Sequence, residues 1–183
     1  MAKTKDQIFN DILGVEGGYI DHPADRGGPT NWGITQKTAR AHGYNGDMRN
    51  LTRDQALAIL EADYWFGPRF DQIAKISDKV AAELCDTGVN MGPSVPSKFL
   101  QRWLTALNRN GKLYPDLTAD GIIGPRTISA LNSLISARGF AATEKNLLKA
   151  LNCSQGNRYL EIAEGDKTQE EFLWGWLDNR VEI

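Results

Sequence analysis

Glu16, Asp21 and Asp25 stand close together near the start of the 183-residue chain, with Tyr19, Thr30, Asn31, Trp32 and Thr35 around them. Two carboxyl groups flanking a glycosidic bond are the usual means of cleaving it. One is protonated and donates to the leaving oxygen. The other stays ionised and activates water or attacks carbon. Glu16 follows the apolar positions Ile8, Phe9, Ile12, Leu13 and Val15 and precedes Gly17-Gly18, so a helix is expected to end beside it. The negative end of a helix disfavours a carboxylate and so favours the protonated form that an acid needs. That contribution is only about 0.3–1 kcal/mol, and apolar contact with Tyr19 or Trp32 would have to supply the rest. Position alone fits a solvated helix-end glutamate at least as well.

The surrounding residues carry more information. Glu16-Gly17-Gly18-Tyr19, followed by His22-Pro23-Ala24-Asp25-Arg26-Gly27-Gly28-Pro29-Thr30-Asn31-Trp32-Gly33-Ile34-Thr35, resembles the signature of glycoside hydrolase family 108, the lysozyme-like muramidases of phage and prophage endolysins. Arg26 stands where that pattern often has proline, which leaves the Gly-Gly turn intact. The resemblance places the catalytic acid on Glu16. Eight residues separate Glu16 from Asp25 and four separate Asp25 from Thr30, one fewer than in phage-type lysozymes. This ranks Asp25 above Asp21 as second carboxylate and gives Thr30 a water-holding role. Tyr19, Asn31 and Trp32 are the expected substrate contacts, although Trp32 fits a core position equally well.

The second half carries its own resemblance. Cys85-Asp86-Thr87-Gly88-Val89-Asn90-Met91-Gly92-Pro93, Asp120-Gly121-Ile122-Ile123-Gly124-Pro125-Arg126-Thr127 and the closing run Phe172 to Val181 look like the predicted peptidoglycan-binding domain that follows such catalytic domains. Asp86 and Asn90 lie four apart, on one helix face, where they face either a cleft or solvent. The Asp120–Thr127 run reads either as a glycan contact or as a turn and helix start.

Helical signals dominate the elements that must hold these residues. Thr35 suits the N-cap of a helix running to about His42-Gly43. Thr52 and Gln55 form a capping-box pattern, with Gly67-Pro68 as the stop. Ile73 to Val89 suggests one or two further helices. Phe99, Leu100, Trp103, Leu104 and Leu107 make an apolar helical stripe, as do Ile128, Leu131, Leu134 and Ile135 behind Pro125. Residues 139–163 and 172–181 read as helical. Residues 19–34 have no helical period and read as a loop or short irregular hairpin. The expectation is a mainly α, lysozyme-like fold: residues 1–91 catalytic, residues 92–183 a helical peptidoglycan-binding half packed on without a flexible linker.

Composition narrows the partners. Net charge is −2, which gives no general attraction to nucleic acid. Cys85 and Cys153 do not make a disulfide framework and are expected as buried free thiols. With only His22 and His42 and no His-Glu-x-x-His pattern, neither metal nor cofactor is expected. No apolar run approaches the roughly 20 residues of a membrane helix, and no apolar signal segment follows Met1. The resemblance therefore implies a monomer made in the producing cell's cytoplasm, acting on bacterial peptidoglycan once a holin-like pore opens the membrane. Two other readings stay open: a lytic transglycosylase, and a non-catalytic wall-binding or secretion-helper protein.

Overall fold

Thr4 begins the first helix with a complete capping box: its side chain accepts from the Gln7 amide while Gln7 reaches back to the Thr4 amide. This helix, α1, spans Lys5–Leu13 and buries Ile8, Phe9 and Leu13. The computed structural model describes residues 3–14, 18–21 and 28–181. Glu16 and Asp25 lie outside the described residues, as do His22, Arg26 and Gly27. The helix ends earlier than its apolar pattern suggests, because Gly14 takes φ 68° and its N–H closes on Asn10.

Strands β1 (Thr30–Asn31) and β2 (Ile34–Thr35) form an antiparallel hairpin, with Thr30 opposite Thr35 and Asn31 opposite Ile34. Thr35 then caps α2 (Gln36–Ala41), accepting from the Thr38 amide at 3.2 Å. Thr52 and Gln55 close the expected capping box on α3 (Arg53–Glu61). The chain continues through a widened turn at Ala62–Phe66, where Gly67 N–H reaches back to the Ala62 carbonyl. That five-residue reach turns Trp65 into the core. Helix α4 (Phe70–Ala74) follows.

Helix α5 (Asp78–Met91) is the axis of the fold and packs against α1, α4, α6 (Ser94–Leu107) and α8 (Phe140–Gly165). Val80, Ala81, Leu84 and Cys85 are buried along it. Gly92, at φ 83°, ends it. Helix α7 (Pro125–Arg138) starts on its proline, and α9 (Glu170–Arg180) closes the chain. Among the described residues, strand structure is confined to the small hairpin, so the fold is mainly α.

One hydrophobic core joins the two halves, from Ile8 and Phe9 through Leu84 and Leu100 to Leu147 and Leu151. Polar ties cross as well. Ser77 caps α5 and donates its hydroxyl to Glu144 of α8 at 2.8 Å. One sequence expectation is corrected. Cys85 is buried, and its thiol is pushed up to about 12 by burial, but Cys153 of α8 is exposed. The Asp120–Thr127 run is a tightly held turn: Asp120 accepts from the Ile122 amide and from the buried Gln101 side chain, which also accepts from Gly121 N–H.

Candidate active site

The hairpin is fixed from several directions. Ile20 and Thr30 exchange main-chain hydrogen bonds at 2.8 and 2.7 Å, which brings together the residues on either side of 21–29. The turn residues Trp32 and Gly33 both have positive φ, 53° and 73°, as a two-residue hairpin turn of the primed type requires. Glycine takes this conformation freely. Tryptophan does not, at a cost of about 1–3 kcal/mol that surrounding contacts must offset. Two contacts are visible. Trp32 Nε1 donates to the Leu51 carbonyl at 2.8 Å, and Asn31, 5% exposed, donates its amide to the Met48 carbonyl at 2.7 Å. Gly33 lies flat on the last turn of α1, where a Cβ would come within 3.2 Å of the Ile12 carbonyl. Hairpin and α1 thus meet where α1 ends.

Tyr19 completes the described part of the site. It is half-buried, and its hydroxyl donates to Asp21 at 3.2 Å. The Arg49 guanidinium sits 4.8 Å from the ring centroid. Desolvation raises the Tyr19 hydroxyl above its ordinary value, although the Arg49 charge opposes this. The phenol is therefore a hydrogen-bond donor at neutral pH. Asp47 in turn holds Arg49, through the Arg49 amide at 2.9 Å and a contact of 3.3 Å to the guanidinium. Sequence reading missed Arg49, which is thirty positions from Tyr19 and belongs to no motif.

Of the expected residues, Tyr19, Thr30, Asn31 and Trp32 converge on the hairpin. Thr30 is half-buried and carries the strand pairing. The Asn31 side-chain amide is engaged with main chain, so its structural task is to hold the hairpin. Asp86 and Asn90 are elsewhere. Asp86 is buried, with one carboxylate oxygen 2.8 Å from Arg180 of α9 and the other accepting from Gln155 of α8 at 3.1 Å. Asn90 is exposed and donates to the Asp86 carbonyl. Asp86 thus ties α5 to α8 and α9. Among the described residues no cluster of His, Cys, Asp and Glu is arranged to hold a metal ion.

Residues 9–92, which contain the hairpin, the second half of α1 and both Glu16 and Asp25, match the glycosyl hydrolase 108 family, and residues 95–181 match the predicted peptidoglycan domain. The first half of the chain is a glycosyl hydrolase 108 domain by this match, and the second half a predicted peptidoglycan domain. The two matches together support a glycoside hydrolase acting on peptidoglycan. The structure of SagA from Brucella abortus superposes with a TM-score of 0.61 at 25% identity, over 94% of this chain and 84% of that one. No functionally curated sequence matches. The glycosyl hydrolase 108 match ends at Gly92, where α5 also ends, and the peptidoglycan match begins within α6.

Proposed function

We propose that this glycoside hydrolase is a muramidase that hydrolyses the β-1,4 bond between N-acetylmuramic acid and N-acetylglucosamine. The observation that carries the reading is the anchored hairpin: its turn packs against the end of α1, and in sequence it follows Glu16 and Asp25 directly. Glu16 is the general acid that protonates the leaving oxygen. Asp25 is the second carboxylate, and Thr30 positions water. Trp32 and Tyr19 offer ring faces to the sugar, with Arg49 holding the Tyr19 ring in place. General acid catalysis contributes roughly 10²–10⁴-fold, so Glu16 is the residue the rate depends on most.

The biological setting we infer is phage-type lysis by a monomer. Among the described residues no helix is long and apolar enough to cross a membrane. The enzyme then reaches the wall through a pore made by another protein. Expression alone, followed by a permeabilising agent, tests this: lysis should start only after permeabilisation. Lysis beforehand would remove the pore from the account.

Mass analysis of released muropeptides tests the reaction. Reducing muramic acid ends support hydrolysis. Anhydro-muramic ends would make the enzyme a lytic transglycosylase, and binding without release would make the protein a wall-binding module.

A further inference from the structure

A groove of about 300 Å³ lies between α6 and α8, on the half of the chain far from Glu16 in sequence. Its walls come from one face of each helix: Phe99, Arg102 and Trp103 on α6, and positions 153, 154, 157, 158 and 161 on α8. The floor is aromatic. Trp103 is half-buried, and its indole N–H donates to Ser154 at 2.8 Å, which fixes the ring plane. The rim is charged. Glu161 accepts from Arg158 and from Asn157, each at 2.8 Å, and this holds the Arg158 guanidinium upright with most of its donors still open. Arg102, across the groove, is exposed, and its charge also acts on Glu161. Two guanidinium groups against one carboxylate give this groove a positive balance on a chain of net charge −2.

We propose that this groove binds the stem peptide of peptidoglycan through its carboxylates, so that the enzyme holds the wall by the peptide while cleaving the glycan. The proposal rests on peptidoglycan being the substrate. Arginine suits the task because its planar fork matches a carboxylate. The glycan strand itself is neutral apart from groups already joined to peptide, and it gives two arginines nothing to pair with. The aromatic floor suits the aliphatic parts of a short peptide, and the volume admits a few residues.

Cys153 lines the groove as an exposed thiol, whereas Cys85 is buried with its thiol proton held tightly, so a thiol reagent reports on the groove alone. The test follows labelling of the full-length protein by mass spectrometry. Additions are a synthetic stem tetrapeptide, the same peptide with its carboxylates amidated, or an N-acetylglucosamine oligosaccharide. The free tetrapeptide should slow Cys153 labelling several-fold, and the other two should not. Arg102→Ala/Arg158→Ala should lose the protection while melting normally. Protection by the oligosaccharide or the amidated peptide, protection surviving in the double variant, or none at all overturns the proposal. Cleavage of peptide-free glycan strands by the wild type is read in parallel. Cleavage without protection sinks the groove alone; neither cleavage nor protection sinks the muramidase reading with it.

Discussion

The Trp32 indole N–H and the Leu51 main-chain carbonyl are joined at 2.8 Å across nineteen residues of sequence, and this bond holds a tryptophan in a left-handed turn conformation. Leu51 lies between a short 3-10 turn, Met48–Asn50, and the N-cap of α3, so the hairpin's aim is set by the start of α3. Replacing Trp32 with Phe keeps a ring and removes the donor. The expected cost is about 0.5–1.5 kcal/mol of stability, a fall in melting temperature of roughly 2–4 °C per kcal/mol at this chain length. Activity should fall further than stability does, through a raised KM. Unchanged kinetics in W32F would mean that the ring's orientation does not serve the sugar.

Asp86 offers a clean choice between two roles. If it ties α5 to α8 and α9, Arg180→Ala should destabilise the protein strongly, because it leaves a buried carboxylate short of its cation. Losses on breaking such pairs run to about 3–5 kcal/mol, and the part-exposed Arg180 places this one toward the lower end. Below the melting temperature, kcat should be unchanged. A variant that melts normally but loses activity would return Asp86 to the substrate side, as its helix spacing with Asn90 first suggested.

How much of this was legible in the sequence divides by range. Thr35, Thr52 with Gln55, and Pro125 were readable because a cap is a bargain between neighbours within one turn. A short hairpin was one reading of residues 19–34, but the place of its turn was not legible, because Trp-Gly is a poor choice for a turn that wants Asn-Gly or Asp-Gly. Leu51 and Ile12 hold it there, and no local pattern reveals them. Asp86 misled for the same reason: its partners Gln155 and Arg180 are 69 and 94 positions away. Cys153 was expected inside because cysteines usually are, but it falls off the face of the long helix that buries Leu147, Leu151, Gln155 and Tyr159. The end of α1 turned on one residue, Gly14, inside an otherwise continuous apolar stripe.

Gly121 sits at φ 82°, and a Cβ there would come within 2.4 Å of the Ser94 hydroxyl and 3.1 Å of its carbonyl. Gly121→Ala therefore combines a strained backbone with a clash against main chain. A loss of at least about 1–3 kcal/mol is expected, read as a lowered melting temperature. A variant as stable as wild type would mean that the 120–127 turn is free to move.

Asp120 should make stability depend on acid. The Ile122 N–H, then the Gln101 amide, hold its carboxyl below the ordinary value of 3.8. A lowered folded value means that the stabilisation is present above the ordinary carboxylate range and is lost as pH falls through the folded value. Between about pH 5 and pH 2 the wild type should lose more stability than Asp120→Asn, which has no charge to lose. Parallel acid profiles would mean that the turn's hydrogen bonds do not discriminate between the two forms of Asp120.

The most direct test of the whole account is muropeptide release from purified peptidoglycan by wild type and by Glu16→Gln, with folding checked by melting and wall binding by cosedimentation. The account predicts reducing muramic acid ends from the wild type. It predicts at least a roughly 10²-fold loss in the variant, with melting and binding preserved. A folded Glu16→Gln protein that releases muropeptides at close to the wild-type rate would contradict it.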